Sequence, residues 1–202
     1  MNRVDIFLSE NDSIQDCLLN HFAQFCLELV PEYFFKVPAS STGKYHPAYS
    51  LGEGGLVRHT KAAVKIANDL LNLEQNKELA EYRDEIIFAL IFHDSIKKGN
   101  PETKYTLMEH PLHAADFLEK CYKEYESFID FQEDDKISFE KSLKKIQTLI
   151  RSHMGQWNKK EGHDDLPLPE TALQKCVANA DYMASRKFYD NAYHKIFYLP
   201  YS

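Results

Sequence analysis

Apolar residues recur at intervals of three and four along most of this chain, which is the repeat of one buried helix face. A first helix is expected through "SIQDCLLNHFAQFCLELV", capped by Asp12 or Ser13 and ended near Pro31. Residues 38 to 55, "PASSTGKYHPAYSLGEGG", are rich in Pro, Ser and Gly and predict an extended loop. Leu56, His59, Ala63, Ile66 and Leu70 then mark one face of a second helix. A third runs through "NKELAEYRDEIIFALIFHD", and Pro111 opens a fourth at "PLHAADFLEKCYKEY". After the acidic connection "FIDFQEDDK", the residues Phe139, Leu143, Ile146, Ile150 and His153 share a face. A loop with Gly155, Gly162, Pro167 and Pro169 precedes the last long helix, "ETALQKCVANADYMASRKF". The aromatic tail "FYDNAYHKIFYLPYS" is expected to pack back on the bundle. No segment alternates like a strand, so the pattern predicts one all-α domain over residues 1–202.

Composition narrows the class. With 202 residues, 44% of them hydrophobic, the chain can close a sizeable core. Its formal charge of -7 argues against a dedicated duplex-DNA binder and tilts the reading towards a small substrate. Cys17, Cys26, Cys121 and Cys176 form no C-x-x-C pair and lie in apolar helical contexts, as buried reduced thiols do. No apolar run approaches about 18 residues, and the N-terminus turns acidic too early for a signal peptide. A cytoplasmic protein with no membrane partner is expected.

What the apolar pattern does not explain is a set of polar residues on inward faces: His59, His93, His110 and His153, with Asp94 and Asp181. A lone histidine in such a place is usually a satisfied core residue. A carboxylate there is costly unless paired or bound to a cation. Together they point to a mixed imidazole and carboxylate shell, suited to Mn, Fe, Ni, Co or Zn, and without the cysteines of a structural zinc knot.

The order His59, His93-Asp94, Asp181 resembles the HD-domain superfamily of metal-dependent phosphohydrolases. "GGLVRHT" is similar to that family's first histidine segment, and "HDSIK" to its HD-x-x-K form, with Ile96 where glycine is usual. "EHPLHAADFL" resembles E-H-P-x-x-G-A-x-x-L, with His113 in place of the glycine. "IRSHMGQW" resembles I-x-x-H, and "NADYMAS" the closing A-D segment. The resemblance covers about residues 50 to 185. It implies an HD-type helical bundle in which His59, His93, Asp94 and Asp181 hold one divalent transition metal. His110 and His153 mark those members of the family that hold a second ion, bridged to the first by Asp94, so one or two ions are implied.

On that resemblance Asp94 and Lys97 are the catalytic residues, Lys97 beside a phosphoryl oxygen. A solvated lysine at a helix end is the plainer reading of Lys97, and Lys98 is read as solvent-facing. Lys44, His46, Tyr49, His113 and Trp157 are candidates for substrate contact, Trp157 by stacking on a base. Arg58, Arg151, Lys159 and Lys160 could add local positive charge, whereas His21, His163 and His194 are not expected as ligands. The expected reaction is cleavage of a phosphodiester in a nucleotide-like small molecule. A nuclease trimming a single-stranded RNA or DNA end, a 5′-nucleotidase, and a non-catalytic nucleotide-binding module remain alternatives.

Overall fold

The computed structural model describes residues 2–40 and 42–187, and the aromatic tail's expected packing falls outside them. Among the described residues all regular structure is helical: α1 (Arg3–Ile6), α2 (Leu8–Asn11), α3 (Cys17–Leu29), α4 (Gly55–Leu71), α5 (Arg83–Phe92), α6 (His110–Tyr125), α7 (Glu133–Arg151) and α8 (Ala172–Ala184). No helix among them is long and apolar enough to cross a membrane.

At α5 the bundle has its axis. Every residue from Glu85 to Phe92 is buried, so this helix has no solvent stripe and packs against α3, α4, α7 and α8. Phe22 of α3 stacks on Phe88 at 5.7 Å and meets Phe139 of α7 edge-on at 5.3 Å, which links three helices through aromatic rings. The expected long third helix is shorter than its apolar run suggests. Residues Glu74–Tyr82 form a 3₁₀ stretch with no buried residue, and the α-helix starts only at Arg83, where burial begins.

Two other expectations shift. The first long helix starts at Cys17, because the Asp16 carboxylate accepts the Leu19 amide at 2.9 Å. Oδ2 of Asp84 also accepts the amides of Gln15 and Asp16, which fixes the approach outside helical geometry. Cys17 is exposed at that helix start, not buried like Cys26, Cys121 and Cys176.

The loop before α4 is tied down. Arg58 donates to the carbonyls of Tyr49, Leu51 and Glu53, so its charge serves the loop. The amide of Leu56 donates to Val37 and that of Ala39 to Ser50. Gly55 makes this closeness possible: a Cβ there would lie 2.3 Å from the Ser50 oxygen and 3.0 Å from the Pro38 Cα. Gly52, by contrast, has a φ of 69° but open space around it.

The two glycines therefore predict different losses. Gly55→Ala should cost at least about 2 kcal/mol in urea unfolding, because backbone must move. Gly52→Ala should cost about 1–2 kcal/mol, from the torsion alone. Equal midpoints for the two variants would contradict this account.

Candidate metal centre

Three of the four inward histidines stand at helix ends and are held by one device. Nδ1 of His93 lies 2.7 Å from the Leu90 carbonyl oxygen, Nδ1 of His110 2.7 Å from that of Leu107, and Nδ1 of His153 2.8 Å from that of Ile150. A carbonyl only accepts, so each Nδ1 carries a proton and donates it. In the neutral ring Nε2 is then a bare lone pair, the form in which imidazole binds metals. All three Nε2 atoms point into the same buried space. Those of His110 and His153 face each other at 3.2 Å, a repulsive contact unless a cation or proton intervenes.

Asp94, only 2% exposed, sits among these rings with its two oxygens turned to different partners. Oδ2 is 2.5 Å from Nζ of Lys97, 3.5 Å from Nε2 of His93 and 3.9 Å from Nε2 of His59. Oδ1 is 2.9 Å from Nε2 of His110 and 3.8 Å from Nε2 of His153. Asp181 closes the cluster from α8, with Oδ1 2.9 Å from Nε2 of His59 and 3.5 Å from Nε2 of His93.

Ligand atoms of His59, His93 and Asp94 lie within 4.8 Å of one another, as do those of His93, His153 and Asp181, and those of Asp94, His110 and His153. These buried groups could hold a metal ion. The donor set fits one: His93 Nε2 and Asp94 Oδ1, both turned into the cluster, are buried without a hydrogen-bond partner. The 2.9 Å approach of His110 to Oδ1 is close but not aligned as a hydrogen bond. Each such orphan costs on the order of 1–3 kcal/mol unless something else satisfies it. None of the four cysteines belongs to these groups.

The electrostatics agree with a cation site. Burial, then the neighbouring His93 and His110, push His153 down to about 3, so its ring is neutral. Burial opposes ionisation of Asp94, yet Lys97 and His93 outweigh it and hold the carboxyl well below the usual range. Asp181 is likewise held low against its burial, by His59 and His93. At His93 burial is again opposed, here by Asp94 and Asp181, which raise its pKa. Proton and metal would compete for the same Nε2.

The expected substrate residues divide. His46 is half-buried with its ring 5.9 Å from His59, and burial, then His59 and Lys97, push its pKa down to about 4. Tyr49 donates its hydroxyl to the Ala184 carbonyl at 2.7 Å, and so joins the loop to the end of α8. Lys44 is exposed with Nζ 5.0 Å from the Tyr45 ring centre, and Trp157 is 53% exposed. His113 is exposed on α6 and joins none of the ligand groups. Arg151 pairs with Asp116, Lys159 with Asp165, and Lys98 with Glu102. His163 pairs with Glu109, the residue before His110. Sequence spacing gave no sign of Arg186, whose guanidinium lies over Tyr182.

No family model, curated protein or solved structure gives a match to this chain.

If the cluster holds a divalent ion, Mn²⁺ added to chelator-treated protein should raise its thermal midpoint by about 5–10 °C at a hundredfold excess over Kd. Asp94→Ala should lose most of that rise. An equal rise in the variant would place the ion elsewhere.

Proposed function

We propose that this chain is a cytoplasmic, metal-dependent phosphohydrolase of the HD type, cleaving phosphodiester bonds in nucleotide-like substrates with a pair of divalent ions. The observation that carries the pair is the division of Asp94. Its Oδ2 faces His59 and His93, and its Oδ1 faces His110 and His153, as a carboxylate shared between two cations would. Asp181 completes the first set. An all-imidazole and carboxylate shell suits Mn, Fe, Ni, Co or Zn.

Bound divalent ions lower the pKa of water to near neutrality and neutralise charge on phosphoryl oxygens. The protein's own contribution is orientation. The carbonyls of Leu90, Leu107 and Ile150 fix the proton of each ring on Nδ1, so no ligand must turn or lose a proton before use. Asp94 stays ionised against its burial, which keeps both oxygens available. Lys97 is three residues past Asp94, and its amide donates to the Asp94 carbonyl at 3.1 Å. That turn brings the ammonium to the rim of the buried cluster, with 14% of the side chain exposed. From there it can meet a non-bridging oxygen of the substrate while still touching Oδ2.

The test is hydrolysis of bis-p-nitrophenyl phosphate against p-nitrophenyl phosphate in Mn²⁺. Diester cleavage is expected, lost in Asp94→Ala and lowered about 100-fold in kcat by Lys97→Ala. Monoester cleavage alone would make the protein a nucleotidase. Unchanged diester cleavage in Asp94→Ala would reject this site.

A further inference from the structure

The metal cluster leaves one group of aromatic and basic side chains unused, at the C-terminal end of α8. The guanidinium of Arg186 lies 4.1 Å from the ring centre of Tyr182, 5.4 Å from that of Trp157 and 5.7 Å from that of Tyr45. These rings are not core. Tyr45 is 55% exposed, Trp157 53% and Tyr182 36%. Nε of Arg186, in contrast, is buried and lacks a hydrogen-bond partner among the described residues.

Each ring is attached to a segment that builds the metal cluster. Tyr182 follows Asp181 on α8, and Tyr45 precedes His46, whose ring approaches His59. Trp157 ends the 3₁₀ turn Gly155–Trp157, which begins two residues after His153. The rings therefore meet at Arg186 from three segments that each carry a residue of the cluster or its neighbour His46. They are not needed as a clasp. The Lys187 amide already donates to the Tyr45 carbonyl at 3.0 Å, and the Tyr49 hydroxyl to that of Ala184.

The same place carries positive charge. Lys44, Arg186 and Lys187 have no carboxylate partner among the described residues, and Lys44 lies over the outer ring of Tyr45. Exposed rings interleaved with unpaired cations are a surface for flat π-systems that carry negative charge. A nucleobase stacks on aromatic and guanidinium planes whatever its sequence, and its phosphate is met by the cations.

We propose that Tyr45, Trp157, Tyr182 and Arg186 form a base-stacking rim that holds the nucleobase of the substrate while its phosphoester reaches the buried ligands. The substrate class rests on the phosphohydrolase reading; the rim's affinity for a base does not. None of the four residues belongs to a metal-ligand group, so the rim binds a nucleotide without metal.

Trp157 is the one tryptophan of the chain, so its fluorescence reports this rim alone. In metal-free protein with chelator present, adenosine monophosphate should quench that emission, and ribose 5-phosphate at the same concentration should not. Tyr182→Ala and Arg186→Gln should each weaken the nucleotide by about tenfold or more. Tyr182→Phe, which keeps the ring, should bind as the parent does, and separates stacking from a general loss of structure. Equal quenching by ribose 5-phosphate, no response to the nucleotide, or unchanged affinity in both weakened variants would each overturn the proposal. Diester hydrolysis without a nucleotide response would end the rim and spare the phosphohydrolase. A nucleotide response without hydrolysis in any metal would do the reverse.

Discussion

A carboxylate that is almost completely buried, Asp94, sets the terms for the rest of this structure. An unpaired charge in such a place would cost several kcal/mol, so whatever surrounds it must be cationic or must bind a cation. Lys97 supplies one positive charge at Oδ2, but four imidazoles also converge on the carboxylate, two at each oxygen, and an uncharged imidazole brings no compensation of its own. Protonating all four would crowd like charges at contact distance; His153 is pushed far down partly for that reason. A divalent ion would resolve the conflict, because it would take the lone pairs of the rings and the charge of the carboxylate together.

Helix ends make this arrangement possible. The last turn of a helix leaves carbonyls without intrahelical partners. His93, after α5, and His153, after α7, each use one such carbonyl three residues back, and His110 uses the equivalent atom in the turn before α6. A histidine inside a helix would have its backbone fixed by the ladder and its ring aimed by the helix face alone. At an end, one hydrogen bond sets both the tautomer and the direction of the ring. The complete burial of α5 from Glu85 to Phe92 is then intelligible: it anchors in the core the helix whose end carries His93 and Asp94.

Much of this was legible in the sequence, for physical reasons that differ between parts. Stripes on α4, α7 and α8 have a 3.6-residue repeat, so their buried faces, and the inward position of His59, follow from pattern. The start of α3 was not readable, since Asp84, 68 residues beyond Asp16, helps to fix it. Spacing along α6 does not say where the bundle's surface cuts across it, which leaves His110 buried and His113 exposed one turn away. Arg186 stayed invisible because its partners Tyr45, Trp157 and Tyr182 meet it only through tertiary contact. Residue type and order found the buried histidines and aspartates, and Trp157 singly; the grouping of the exposed rings around Arg186 needed three dimensions.

The same contrast applies to charge. A net value of -7 suggests a molecule that repels polyanions, and that inference weighs every residue alike. Solvent does not. At physiological ionic strength an exposed charge is screened beyond about 8 Å. Glu133, Asp134 and Asp135 open α7, whereas His153 follows its last turn, so the helix alone separates them by about 28 Å along its 19 residues. Acidic residues at that distance contribute little to the potential at the metal cluster. Lys97, Lys44, Arg186 and Lys187 lie in the segments that build the cluster or its rim, and the last three have no described acidic partner to cancel them. For an anionic substrate the relevant quantity is the charge within a screening length of the site, where these cations stand beside Asp94 and Asp181, and not the net charge of the whole chain.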